Sequence, residues 1–166
     1  MAKSRSNLRV MLDANILIAG SVWPRWPHEI LEHAERRDFK LILSPFIIEQ
    51  ARRPINRRFV SGRSRFERFL RHARYELAAE VSEQDVKNHR DLVRDMTDVP
   101  VALAAINARA DYLVSEDKDL TVRDDTTTEL RRNVTVLLSG TFLREVMGWS
   151  SDQLEAIRHR TWHDLN

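Results

Sequence analysis

The stretch VMLDANILIAG, residues 10–20, decides our interpretation of the fold because it begins as an apolar strand and then becomes polar. Three apolar residues come first, and Asp13 and Asn15 follow where the strand should end. Open parallel sheets bind their ligands in the crevice outside the carboxyl ends of the strands. An acid and an amide at this point therefore indicate a binding site. The alternative is a turn in which the Asp13 side chain bonds its own backbone.

Further apolar runs are typical of β-strands and alternate with helical patterns along the chain. Apolar residues three or four positions apart indicate helices, whereas short continuous apolar runs indicate buried strands. Strands that alternate with helices form a parallel sheet with helices on both faces. We therefore predict an α/β fold, a single domain with a central parallel sheet of about five strands flanked by helices. The predicted strands are 8–12, 40–44, 75–81, 111–115 and 134–139, and the predicted helices are 28–37, 45–53, 64–74, 99–110 and 140–147.

Proline and polar residues indicate where this pattern is interrupted. Pro54 predicts a break or kink in the second helix, since a proline inside a helix costs about 3 kcal/mol. The polar residues 121–133 predict a loop. We interpret residues 1–7 as an N-terminal extension, 8–149 as the domain, and 150–166 as a tail with an extra C-terminal helix.

Composition excludes several classes of site. The chain has 166 residues and no cysteine, so disulfides and thiolate metal sites are excluded. A metal would bind to carboxylates or histidines, which favours a hard cation. No window approaches the roughly 18 uninterrupted apolar residues of a membrane span, and the N-terminal residues lack the apolar block of a signal peptide. We expect a cytoplasmic protein with no membrane partner.

Basic residues are concentrated in one part of the chain. Nine arginines lie between residues 52 and 74, against a single acid, Glu67. The rigid guanidinium fork suits bidentate contacts with phosphate. This segment therefore predicts either a phosphate-binding surface or a solvated helix face.

Four aspartates from separate segments are predicted to meet at one edge of the sheet. Asp13 follows the first strand, Asp117 and Asp119 follow the fourth, and Asp98 begins the helix that leads into the fourth. Two carboxylates about 4 Å apart repel by about 1 kcal/mol in water and by about 4 kcal/mol at an effective dielectric of about 20. A divalent cation would offset that repulsion. Taken singly, Asp98 could be a helix N-cap, and the other acids could be turn residues.

Four stretches together resemble the successive blocks of PIN-domain nucleases. They are the opening stretch, LSPFIIEQARRPINRRF (43–59), TDVPVALAAINARADYLVSEDKDL (97–120) and VTVLLSGTFL (134–143). They look most similar to the toxin components of toxin–antitoxin systems that are related to the VapC toxins. The third block is the most specific. The resemblance covers residues 8–147 and implies Mg²⁺- or Mn²⁺-dependent cleavage of RNA, with RNA as the substrate and a cognate antitoxin as a protein partner.

The resemblance also assigns roles to residues at the predicted edge. Asp13, Asp98 and Asp117 match the acids that bind the metal and support catalysis in this family. Asp119 matches a further acid that is frequent at the metal. The supporting polar residues are Asn15 and Ser115.

The second acid of the family pattern is where this sequence departs from it. The family position, six residues beyond the serine equivalent to Ser44, is Gln50 here, and Glu49 is its neighbour. One residue turns a helical side chain by about 100°. We favour Glu49 as the catalytic acid at this second position, which it would reach if the helix is rotated or distorted. Otherwise Gln50 would contribute a neutral oxygen. An incomplete site would instead make the protein a non-catalytic RNA-binding or protein-interaction module.

Other side chains around the predicted site could contact RNA. Phosphate contacts position a substrate without reading its sequence. Trp23 and Trp26 are expected in the loop beyond Asp13, where they could stack on unpaired bases, pack within the fold, or contact a second copy in a homodimer. The arginines predicted to hold RNA phosphates are Arg52, Arg53, Arg57 and Arg58.

Overall fold

The computed structural model describes residues 3–166 and contains a five-stranded sheet. All neighbouring strands in this sheet are parallel. The sheet therefore confirms the predicted α/β class. Its strands are β1 (Arg9–Leu12), β2 (Lys40–Leu43), β3 (Tyr75–Leu77), β4 (Tyr112–Val114) and β5 (Thr135–Leu137), in the order β3-β2-β1-β4-β5.

Helices connect the strands and follow the last one, as the sequence pattern predicts. Short 3₁₀ turns occur at Arg5–Asn7, Val60–Gly62, Met96–Asp98, Asp125–Thr127 and Trp162–Leu165. The α-helices of the described residues are α1 (Ala14–Val22), α2 (Trp26–Glu35), α3 (Pro45–Arg57), α4 (Arg63–His72), α5 (Glu83–Asn88), α6 (Val99–Asn107), α7 (Lys118–Thr121), α8 (Thr128–Asn133), α9 (Ser139–Glu145) and α10 (Ser151–Ala156).

The core lies on both faces of the central strands. Val10, Met11 and Leu12 of β1 are fully buried, although successive side chains of a strand point to opposite faces. Burial on both faces requires cover on both, which explains why β1 and β4 are apolar runs rather than alternating patterns. The apolar run that opened the sequence analysis is thus the centre of the sheet.

The strand order places a ligand crevice beside β1. The chain runs outward from β1 through β2 to β3, and then returns to place β4 on the other side of β1. The order therefore reverses between β1 and β4, and open α/β sheets bind ligands at such a point, outside the carboxyl ends of the strands. Asp13 directly follows β1, and Ser115 directly follows β4.

Local signals explain where α3 begins and which face it buries. The Ser44 hydroxyl accepts a hydrogen bond from the Ile47 amide at 3.2 Å, and Pro45 occupies the first turn, where no helical bond is lost. Ile47, Ala51 and Ile55 are fully buried at a spacing of four residues. The opposite face of α3 is therefore free to carry charged residues.

Two helices differ from the sequence predictions near the start of the chain. The apolar residues after Asp13 form α1 rather than the expected loop, because Asp13 caps the helix by accepting a hydrogen bond from the Ala14 amide. Helix α2 begins at Trp26, so this tryptophan lies on a helix and not in a loop.

The predictions for the later segments were partly wrong. Helix α3 continues past Pro54 to Arg57, because the buried Ile55 holds the last turn against the core. The segment 121–133 is not a loop throughout, since its last residues form a 3₁₀ turn and α8, which buries Leu130. Strand β3 is shorter than expected.

The C-terminal segment packs against the first two helices. The extra helix is α10, as predicted, and the chain then returns to the region between α1 and α2. Arg160 forms an ion pair with Glu29 at 2.6 Å and donates to the Pro24 carbonyl at 2.6 Å. The Trp162 indole donates to the Val22 carbonyl at 2.9 Å. These contacts hold the tail on the domain.

Within residues 3–166, the structure contains no helix with the length and apolar character that a membrane crossing requires.

Candidate active site

Asp13 is the buried centre of the candidate site. One of its carboxylate oxygens accepts a hydrogen bond from the Ala14 backbone amide at 2.8 Å. The other accepts from the Ser115 hydroxyl at 2.7 Å and from the Asn15 side-chain amide at 3.2 Å. Burial raises the pKa of Asp13, and the charge of Asp117 adds to this, while the hydrogen bonds offset part of the increase. The side chain is therefore held in one orientation within a low-dielectric environment.

Asn15 and Ser115 join the ends of β1 and β4. The Ser115 hydroxyl accepts from the Asp117 amide at 3.0 Å and from the Asn15 side chain at 3.2 Å. The Asn15 side-chain oxygen accepts a hydrogen bond from the Glu116 backbone amide at 3.1 Å. The two residues predicted to support the site thus fix the position of Asp13 relative to the loop after β4.

Asp117 begins α7 as its N-cap. One carboxylate oxygen of Asp117 accepts from the Asp119 amide at 2.8 Å. This capping bond fixes the first turn of α7, which contains Asp119. Asp119 also lies 3.6 Å from the guanidinium of Arg94.

Asp98 also has a strongly raised pKa. It lies at the end of the 3₁₀ turn before α6, and its Oδ2 atom is buried without a hydrogen-bond partner among the described residues. Its pKa is raised to about 8, first by burial and then by its interaction with Asp117, with further contributions from the charges of Asp95 and Asp13. These contributions show that Asp13, Asp98 and Asp117 lie close enough to act on one another.

Asp95 is a site residue that the sequence analysis missed. Asp95, Asp98 and Asp119 each offer a carboxylate oxygen, and these oxygens lie within 4.8 Å of one another. Hydrogen bonds from the backbone and side chain of Thr97 lower the pKa of Asp95 and keep its carboxylate charged. The available signal was the DMTD turn at 95–98, in which Asp95 caps a 3₁₀ turn and Asp98 ends it.

Glu49 is engaged on the surface of α3. It forms an ion pair with Arg53 at 3.1 Å, and both side chains are more than half exposed. No hydrogen bond or ion pair in residues 3–166 joins Glu49 to the aspartates. Glu49 does line a groove of about 620 Å³ together with Met96 and Pro100, which lie on either side of Asp98 in sequence. The partly buried Gln50 does not line this groove.

The four arginines assigned to RNA have different environments. Arg52 forms an ion pair with Glu67 at 2.9 Å and lies over the Phe66 ring, which joins α3 to α4. Arg53 pairs with Glu49. Across the described chain, the exposed Arg57 and Arg58 form no ion pair, so their guanidinium groups are available to a phosphate.

The two tryptophans of the first connection also differ. The Trp26 indole donates to the Leu154 carbonyl at 2.8 Å, and its ring packs against Gly140. Trp23 remains 40% exposed and contacts Phe59 edge to face. Trp26 is therefore a packing residue, whereas Trp23 keeps a free surface.

The chemistry of this cluster fits a hard divalent cation. All of its charged donors are carboxylate oxygens, which Mg²⁺ and Mn²⁺ prefer over the nitrogen and sulfur donors that suit softer metals. A buried oxygen without a partner, as at Asp98, is costly unless another group compensates it. The fold and site together define an α/β protein with an acidic, oxygen-rich centre at the switch point of a parallel sheet.

Comparison with known families gives this class a name. The PIN domain family matches residues 9–119, and the chain therefore belongs to the PIN domain family. No curated protein sequence matches the chain. The family match covers β1 to the acids after β4, so it includes all of the clustered aspartates.

Solved structures confirm the similarity of the fold. PAE2754 from Pyrobaculum aerophilum aligns with a TM-score of 0.56 and 13% identity, over 89% of this chain and 100% of that chain. VapBC2 from Rickettsia felis, solved with a DNA fragment from the promoter, aligns with a TM-score of 0.53 and 15% identity, over 78% of this chain and 97% of that chain. At these identities the similarity concerns the fold.

Proposed function

We propose that this PIN domain is a Mg²⁺- or Mn²⁺-dependent endoribonuclease, and that it is the toxin of a type II toxin–antitoxin pair acting in the cytoplasm. The observation that carries the proposal is the buried, unpartnered oxygen of Asp98, in a carboxyl whose pKa is raised to about 8 by burial and then by Asp117. A cation at this position would remove the repulsion and satisfy the oxygen. The similarity to VapBC2 supports the assignment to toxins and the expectation of an antitoxin partner.

Asp13, Asp98, Asp117 and Asp119 are the residues that would hold the cation, and Asp95 is placed to assist. A bound divalent ion supplies an activated water and neutralises charge on the attacked phosphate. Asp13 keeps its orientation through its bonds to the Ala14 amide and the Ser115 hydroxyl. Preorganised ligands of this kind need no rearrangement when substrate binds, which is the main requirement for electrostatic catalysis.

Basic and aromatic side chains would position the RNA. Arg57 and Arg58 are the better placed of the four predicted arginines, since Arg52 and Arg53 already pair with glutamates. Their contacts would add affinity without sequence preference. The exposed Trp23 offers a surface on which an unpaired base could stack.

A second candidate function follows from the environment of Glu49. If the family's second acid is required for catalysis, the ion pair between Glu49 and Arg53 leaves the site without that acid. The protein would then bind RNA or a protein partner without cleavage. Cleavage by the wild-type chain separates the two functions, and Glu49→Gln would reduce that cleavage only if Glu49 leaves Arg53 to join the site.

Incubation with a pool of single-stranded RNA tests the proposal. Cleavage should require Mg²⁺ or Mn²⁺, stop in EDTA, and fall by at least about a hundredfold in Asp13→Asn and Asp98→Asn. Asp152→Asn, at an exposed acid on α10, is the matched control and should retain full activity. RNA binding without cleavage under every metal condition would contradict the nuclease and support the binding module.

The assignment to toxins has its own test. Induced expression in a bacterial host should arrest growth for the wild-type chain but not for Asp98→Asn. Normal growth at high expression of active enzyme would contradict the toxin assignment while leaving the nuclease in place.

A further inference from the structure

A row of basic residues lies at the edge of the sheet opposite the aspartates. Arg9 begins β1, Lys40 begins β2, and Arg74 lies directly before β3. With Arg37, these residues line a shallow depression of about 550 Å³. We refer to Arg9, Arg37, Lys40 and Arg74 as the amino-edge row. Because the strands are parallel, this edge carries all of their starts, whereas the acidic site follows their ends.

The strand register aligns this row. Arg9 pairs with Lys40, and Leu41 pairs with Tyr75, so that Arg74 continues the position of Lys40 on the next strand. Residues in register on neighbouring parallel strands project to the same face. With strands about 4.8 Å apart, three aligned side chains span about 10 Å. The cations are therefore arranged as a line and not as scattered charges.

Most of the basic side chains in the amino-edge row form no ion pair within residues 3–166. Arg9 is the exception, since its guanidinium donates to the Ala108 carbonyl at 2.7 Å and pairs with Glu76. Arg37, Lys40 and Arg74 are exposed, and none of them forms an ion pair within residues 3–166. Like charges placed side by side repel, and an anion bound along the row would remove that repulsion.

The backbone at Arg37 provides a second, independent observation. The Asp38 amide bonds to the His33 carbonyl and the Arg37 amide to the Ala34 carbonyl, which is the Schellman pattern at the end of α2. Arg37 has φ 61° at the position of that motif where glycine is preferred. An arginine there is conformationally unfavourable, and Arg36 already supplies a positive charge at the helix end. Neither backbone preference nor helix capping therefore explains an arginine at position 37.

The same arrangement occurs at the end of α6, on the other side of β1. The Ala110 amide bonds to the Ala105 carbonyl and the Arg109 amide to the Ile106 carbonyl, and Arg109 has φ 54°. Arg109 is exposed and lies shortly before β4. The two left-handed arginines thus precede β2 and β4, the strands on either side of β1.

From this geometry we infer that the amino-edge row binds the phosphate backbone of a single-stranded nucleic acid, at a site separate from the acidic cluster. A line of cations tracks successive phosphates, and the arginine fork suits each of them. The choice of RNA as the strand rests on the proposed function. Binding at this edge does not require cleavage, and the site would retain RNA while the opposite edge performs chemistry.

The test measures binding of a labelled 20-nucleotide RNA by fluorescence anisotropy in EDTA. This RNA is longer than the roughly 4–16 nucleotides that a single-strand binding site covers. The variant is the full chain with Arg37→Gln, Lys40→Gln and Arg74→Gln, which leaves the contacts of Arg9 intact. The matched control carries Arg90→Gln, Arg123→Gln and Arg132→Gln, at exposed arginines that form no ion pair in the described part of the chain.

The triple variant of the amino-edge row should bind the RNA with a Kd at least ten times that of the wild type at low salt. It should also reduce the slope of log K against log salt by about 2, since each phosphate contact to a single strand contributes about 0.7. The control should stay within threefold of the wild type. Equal weakening by both variants, an unchanged slope, or no binding of RNA by the wild type would overturn the inference.

A single substitution separates binding from folding. Arg37→Gly relieves the left-handed conformation, so its Tm should rise while its Kd for RNA increases about threefold. A rise in Tm with unchanged affinity would assign Arg37 to no binding role and would count against the row. Cleavage of RNA in the presence of Mn²⁺ is measured separately on the wild type. That result tests the proposed function independently of the binding experiment.

Discussion

Replacing Asp98 by asparagine should stabilise the metal-free protein, with an effect that depends on pH. The pKa of Asp98 is raised from 3.8 to about 8, first by burial and then by Asp117. The folded protein therefore holds a proton that the unfolded chain releases. Ionisation of Asp98 therefore destabilises the folded protein. This loss of stability is absent below pH 3.8, grows as the pH rises toward 8, and is constant above that.

The magnitude follows from the difference in pKa. Each pKa unit corresponds to about 1.4 kcal/mol, so the upper limit at pH 7 is about 4 kcal/mol. Asp98 is only partly buried, and solvent and salt screen its neighbours, which reduces the expected effect to about 1–2 kcal/mol. Asparagine removes the titration and can donate a hydrogen bond to the Asp117 carboxylate.

Urea unfolding in EDTA, followed by tryptophan fluorescence, measures this difference at pH 4, 6 and 8. The free energy of unfolding of Asp98→Asn should match the wild type near pH 4 and exceed it by about 1–2 kcal/mol near pH 8. Saturating Mn²⁺ should then stabilise the wild type by about 3 kcal/mol at a hundred times Kd, and the variant much less. Asp152→Asn should show neither effect.

A variant that is less stable than the wild type at pH 8, or a difference that does not change with pH, would refute this reasoning. Either result would mean that the Asp98 carboxylate is compensated within the fold and does not need a cation.

Three further predictions concern the scaffold. Ser44→Ala should lower the free energy of unfolding by about 1 kcal/mol in urea denaturation, because α3 loses its N-cap, whereas Ser44→Asp should retain most of the stability. Arg160→Gln should cost about 2–3 kcal/mol because Glu29, largely buried, loses its partner, and adding Glu29→Gln should recover part of that loss in thermal unfolding. The His33 hydrogen bond lowers the pKa of Asp38, so the stability from this pair is present above about pH 4 and is lost as the pH falls through the folded pKa; Asp38→Asn should flatten that acid limb of the Tm profile.

The sequence by itself determined the fold class and the location of the acids. Apolar runs alternating with helical patterns require a parallel sheet, because strands buried on both faces need helices on both sides. Asp13 and Asp117 follow two such runs, and the carboxyl ends of parallel strands share one edge. Local patterns therefore place both acids at the same edge of the sheet.

Only the tertiary structure decided which strands are neighbours and which charges are free. The order β3-β2-β1-β4-β5 places β4 against β1, and no local propensity specifies that pairing. Asp95 joins the cluster because a 3₁₀ turn brings it back to Asp98 and Asp119, and Glu49 turns instead to Arg53. Composition could not separate Arg52, paired with Glu67 across two helices, from the unpaired Arg57. Periodicity is a property of neighbouring residues, whereas ion pairing and the pKa of a carboxyl depend on groups that folding brings together from distant parts of the chain.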